Sequence, residues 1–174
     1  SRQAHEKLHK AQENLACSDA HQQEELGIMQ PFVLFVSRNK ALCTHVTRWL
    51  FLRFQHQHGT HAAKDAISCF HVLFQPLEHG PCVMELEEGA LGEQRISEPQ
   101  PISYDVQYSL VVVDEAHHLF KQGLLDGIID KFAPTGQAGE LTHLMLLSDL
   151  SQANGVDIGQ AYNAAEFHLT EIVR

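Results

Sequence analysis

Positive charge is scarce in this sequence. Lys and Arg together number 12 against 22 Asp and Glu, a formal net charge of −10 with 13 His taken as neutral. Phosphate neutralisation needs clustered Lys and Arg, so this balance excludes a protein that holds nucleic acid by its own charge alone. It leaves room for a nucleic-acid channel shared with a second, more basic domain. Long apolar runs are also missing: none reaches the roughly 18–20 residues that span a bilayer, which excludes a membrane-spanning helix. Ser1 to Asn14 is too polar for a secretory signal peptide. The cysteines Cys17, Cys43, Cys69 and Cys82 are irregularly spaced and form no C-x-x-C pair. A chain of 174 residues needs no disulfide staples. A reducing, intracellular compartment, cytoplasmic or nuclear, is the expectation.

With 44% hydrophobic residues the chain can bury a real core. Residues 1–30 read as an N-terminal helix, with Ala4, Leu8, Ala11 and Leu15 forming a thin apolar stripe, followed by a polar connector. The character changes at Pro31-Phe-Val-Leu-Phe-Val36, an uninterrupted apolar run of the kind that forms a strand buried on both faces. A helix is expected from Lys40 to Phe54. Leu42, Val46, Trp49, Leu50 and Phe54 recur there at helical spacing, which places Trp49 in the core. Residues 55–104 form a poorly patterned insertion. It holds a His-rich loop (His56, His58, His61), a β-like run from Ile67 to Phe74, a short run at Cys82 to Leu86, and an acidic, Gly- and Pro-punctuated surface stretch from Glu85 to Pro101. Ser109-Leu-Val-Val-Val113 and Leu144-Met-Leu-Leu147 are further buried-strand runs. Leu119 to Phe132 between them has helical spacing weakened by Gly123 and Gly127. Apolar strands alternating with helices predict an α/β fold, a parallel sheet covered by helices on both faces, over residues 31–174.

In open parallel sheets, ligands sit at the carboxyl ends of the strands. Two apolar strands deliver acids there, Asp114-Glu115 and Asp149. An Asp so placed suits a hydrated Mg²⁺, and an adjacent Glu can orient or deprotonate a water attacking a phosphoryl group. The plain alternative is a solvated acidic pair capping a strand. Leu110-Val-Val-Val-Asp-Glu-Ala-His117 resembles the DEAH-spelled Walker B motif of helicase-like P-loop NTPases, built on a RecA-like core. Leu144-Met-Leu-Leu-Ser-Asp149-Leu-Ser-Gln152 is similar to motif III of the superfamily one branch. Phe35-Val-Ser-Arg-Asn39-Lys-Ala-Leu42 resembles motif Ia, and Leu169-Thr-Glu-Ile-Val-Arg174 the start of motif IV. The resemblance covers residues 31–174 and implies ATP and Mg²⁺ as cofactors. It gives Asp114 the metal through water and Glu115 the hydrolytic water. Gln152 would sense the γ-phosphate with Asp149 nearby, Asn39 would lie beside single-stranded RNA or DNA, and Arg174 would contact phosphate.

One departure bears on activity. No G-x-x-x-x-G-K-[ST] occurs in the sequence, so the phosphate-cradling loop and its Lys are missing. The expectation is a fragment of a first motor domain that lacks its P-loop and its second motor domain, with ATP hydrolysis by an intact parent and an inactive isolated chain. The competing reading uses the same core as a signalling or scaffolding switch without nucleic acid. A remote third is a zinc protein built on His5-Glu6-Lys-Leu-His9, which matches H-E-x-x-H. Thirteen histidines make a chance H-x-x-x-H pair unsurprising, and the flanking Gln3, Lys7, Lys10 and Gln12 describe a solvated helix. Of the pair after the Walker B acids, His117 is expected to pack or hydrogen-bond between motifs and His118 to start the next helix.

Overall fold

The apolar runs at 31–36 and 109–113 lie side by side at the centre of a sheet, as residues with no polar face must. The computed structural model describes residues 31–75, 77–88, 94–134, 142–149, 155 and 157–162. Strand β1 (Phe32–Ser37) leads into helix α1 (Lys40–Ser68) and returns parallel to β1 as β2 (Phe70–Phe74). A single 3₁₀ turn, Leu77–His79, precedes β3 (Cys82–Val83). A separate hairpin, β4 (Leu86–Glu88) and β5 (Gln94–Ile96), then leads to β6 (Gln100–Pro101). Strand β7 (Tyr108–Val113) pairs parallel with β1 on its other side. It is followed by α2 (Ala116–Lys121), α3 (Leu125–Phe132), β8 (His143–Leu146) and α4 (Ile158–Tyr162). The main sheet has the order β6-β3-β2-β1-β7-β8.

Alternation along β1 divides the core. Leu34 and Val36 join Val111, Val113, Leu119, Leu125 and Ile129, so α2 and α3 cover one face. Phe35 and Val33 join Cys43, Leu42, Val46 and Val72, so α1 covers the other. The expected α/β class with helices on both faces is therefore present, but the sheet is mixed rather than wholly parallel. Strand β3 runs antiparallel to β2, and β6 antiparallel to β3. The cause is local, because the link from β2 to β3 is far shorter than the dozen or more residues of a parallel crossover.

Several expectations are corrected. The helix expected at 40–54 continues to Ser68, so His56, His58 and His61 lie on a helix and not in a loop. Its two parts meet at a kink where Gly59 takes φ 86° and ψ 170°. Trp49 is not in the core: it is 58% exposed, while the buried face of α1 runs through Cys43, Thr47 and Phe51. The strand expected from Ile67 starts at Phe70, and Ile67 is the last buried residue of the helix. The stretch 85–101 carries the β4–β5 hairpin and β6. The helix expected over 119–132 is two helices, separated at Gly123 with φ 69°. The next helix begins at Ala116, two residues before His118. The N-terminal helix and connector expected over residues 1–30 lie outside the described residues.

Candidate functional site

Because β1, β7 and β8 are parallel, their carboxyl ends open on one side of the sheet. The chain leaving β7 is gripped from both neighbours. Asp114 N donates to Val36 O at 2.8 Å, Leu147 N to Val113 O at 2.8 Å, and Ala116 N to Leu147 O at 2.9 Å. The sharp turn this requires puts Glu115 at φ 50° and ψ 42° as the residue before α2, with no side-chain cap bond. A non-glycine residue in the left-handed region carries strain that its surroundings must hold in place.

Asp114 sits beside the end of β1, where its Oδ2 accepts from Ser37 Oγ at 3.3 Å. Ser37 Oγ in turn accepts from Asn39 N at 3.2 Å. His117, the second residue of α2, is fully buried, and its Nδ1 lies 3.0 Å from Ser148 Oγ just after β8. The expected link between the two motif segments is therefore a contact. His117 Nε2 lies 3.3 Å from Glu115 Oε2, yet neither atom has a hydrogen-bond partner. The His118 ring lies 4.2 Å from the His117 ring, centroid to centroid. Burial pushes the His117 pKa down and the neighbouring His118 adds to this, against the opposing pull of Glu115 and Asp149.

The expected site residues are thus placed unevenly. Asp114 and Glu115 are adjacent to Ser37, His117 and Ser148, and Asp149 lies close enough to His117 to act on it electrostatically. Asn39 belongs to the same edge, but its side chain caps α1, with Oδ1 accepting from Ala41 N at 2.8 Å. Lys40, beside it, pairs with Glu98 from the acidic stretch. Gln152 and Arg174, and the His5-Glu6-Lys-Leu-His9 pattern, lie outside the described residues. The sequence reading gave no role to Ser37 and Ser148. The available signal was a hydroxyl residue directly following an apolar strand, one strand away from an acid.

The arrangement suits a cation. Asp114 presents a carboxylate oriented by the Ser37 hydroxyl. Glu115, His117 and His118 present one carboxylate and two imidazoles whose ligating atoms all lie within 4.8 Å of one another. A depression of about 360 Å³, lined by Asp105, Tyr108, Lys131, Phe132 and Thr142, opens at the amino ends of β7 and β8, away from this cluster. No helix among the described residues is long and apolar enough to cross a membrane. Comparison with family models, with curated proteins and with solved structures found no match to the chain. The class that the fold and the site define is an α/β protein with a mixed six-stranded sheet and a carboxylate–imidazole cluster at its parallel carboxyl edge.

Proposed function

We propose that this chain is the Mg²⁺- and water-handling part of a helicase-like P-loop NTPase with a RecA-like core. ATP hydrolysis in a polypeptide that also carries the phosphate-cradling loop would be coupled to single-stranded RNA or DNA. The observation that carries the reading is the Asp114-Glu115 pair at the carboxyl end of a central parallel strand, tied to both neighbouring strands. In it, Asp114 holds Mg²⁺ through water while Ser37 orients the carboxylate. Glu115 positions and deprotonates the attacking water, a role for which adjacency to the metal ligand is the geometric requirement. The His117–Ser148 contact then joins the strand bearing these acids to the segment containing Asp149 and Gln152. Arg174 is assigned the terminal phosphate by resemblance alone.

A second reading has its own support. Asn39 is engaged as a helix cap and Lys40 is paired with Glu98, so the residue expected beside a polynucleotide and the cation next to it are already engaged. That favours a nucleotide-dependent signalling or scaffolding switch without nucleic acid. One experiment tests both. Magnesium-dependent ATP turnover is measured for the 174-residue chain and for a longer polypeptide carrying it with a Gly-Lys-Ser/Thr loop, with and without single-stranded RNA and DNA. The chain alone is expected at background. The longer polypeptide is expected to turn over and to lose roughly 10²–10⁴-fold in kcat on Glu115→Gln. Stimulation by single strands selects the motor, and turnover without stimulation selects the switch. Turnover unaffected by Glu115→Gln overturns both.

A further inference from the structure

We propose that Glu115, His117 and His118 form a Zn²⁺ site, with the fourth position open to water. The starting point is a pair of buried atoms that ordinary hydrogen bonding leaves unexplained. His117 Nε2 and Glu115 Oε2 face each other at 3.3 Å without forming a hydrogen bond. A fully buried imidazole nitrogen and a carboxylate oxygen that lack a hydrogen bond are costly to leave in this state. A cation between them removes that cost. The spacing fits such an ion: two ligands about 2.0–2.1 Å from a tetrahedral zinc stand about 3.3 Å apart. The His118 nitrogen completes a triangle within 4.8 Å, which a side-chain rotation of the half-exposed His118 can close to the same edge.

The surroundings fit the usual support of such a centre. A ligating histidine needs its other ring nitrogen held, and His117 Nδ1 is held by Ser148 Oγ at 3.0 Å. With Nδ1–H donating to that hydroxyl, the Nε2 lone pair points at the space shared with Glu115. Glu115 immediately precedes α2 at positive φ, and its carboxylate and the imidazoles of His117 and His118 offer ligand atoms within 4.8 Å of one another. Two nitrogens and one oxygen select zinc over magnesium, which prefers an all-oxygen, octahedral shell. The site shares Glu115 with the proposed hydrolytic role, so bound zinc and water activation exclude each other. That consequence rests on the NTPase reading, whereas the binding does not.

Binding is therefore tested without nucleotide. The purified chain is titrated with Zn²⁺ against a chromophoric zinc chelator, and with Co²⁺ for the visible bands of a tetrahedral centre. One tight equivalent is expected, surviving excess Mg²⁺. His118→Ala, at a half-exposed position, is expected to abolish it while leaving the fold intact. Ser148→Ala is expected to weaken it by roughly 10–100-fold. His5→Ala/His9→Ala and His58→Ala/His61→Ala are expected to leave it unchanged. Absence of a tight equivalent overturns the proposal. So does an equivalent indifferent to His118→Ala and Ser148→Ala, or one lost with the N-terminal or α1 histidines.

Discussion

Glu115 bears two separate costs at one position. Its backbone sits at φ 50°, a conformation that disfavours a β-carbon and that Asn tolerates best among residues with side chains. Its buried Oε2 has no hydrogen-bond partner while facing His117. Residues that lower stability in this way tend to be retained for what they do. Glu115→Asn is therefore expected to raise stability in metal-free buffer by about 0.5–2 kcal/mol, seen as a higher urea midpoint with an unchanged slope. A lower midpoint would show that Glu115 is held by favourable contacts, which removes the strain argument. The sequence identified this residue through the acids closing an apolar strand. The backbone conformation and the buried facing atoms were illegible there, since both arise from hydrogen bonds that Val36 and Leu147 make across the sheet.

Elements were legible where an apolar period runs their whole length. β1 and β7 coincide with apolar runs because a central strand flanked on both faces requires continuous hydrophobicity, whereas the run at 144–147, expected to be buried, forms the edge strand β8 with Met145 and Leu147 exposed. The second half of α1 has no such signal. Only Ala63 and Ile67 are buried beyond the kink, while Thr60, His61, Lys64, Asp65 and Ser68 are exposed. Periodicity fails for a helix that buries so little. Trp49 was misplaced by the same arithmetic, since spacing alone cannot say which of two apolar stripes meets the sheet. The kink itself follows from glycine: φ 86° with ψ 170° is open to almost no other residue. A β-carbon at Gly59 would meet nothing within 4 Å, so Gly59→Ala isolates the backbone effect. It is expected to destabilise by about 1–3 kcal/mol, read as a fall in thermal midpoint with helical circular dichroism retained at low temperature. A neutral or stabilising result would mean that the two helix segments join smoothly in solution.

For the whole molecule, the α/β class and the division of helices between two faces were legible in the alternation of apolar runs with helical periods. The mixed sheet was not, because β3 and β6 have only two residues each and carry no period. Among the described residues, the histidines differ widely in exposure. His56, His58 and His61 lie exposed on α1, whereas His71 on β2 and His117 on α2 are fully buried. His71 is enclosed by Phe32, Tyr104 and Tyr108, with Nδ1 at 3.0 Å from the Tyr108 hydroxyl. Burial lowers the pKa of His71 and of His117. The unfolded chain, with histidines near their usual pKa of about 6.5, then binds more protons than the folded chain as pH falls. Stability is therefore full above about pH 7 and declines on acidification, by up to about 1.4 kcal/mol per pH unit for each of the two groups until its folded pKa is reached. Urea unfolding at pH 7.5, 6.5 and 5.5 with a metal chelator present is expected to show this decline. His71→Phe combined with Tyr108→Phe removes both polar partners at similar volume, so the fold should persist. That double variant is expected to lose about half of the acid dependence while His117 supplies the remainder. An unchanged slope would place the acid sensitivity elsewhere in the chain and show that His71 titrates normally despite its burial.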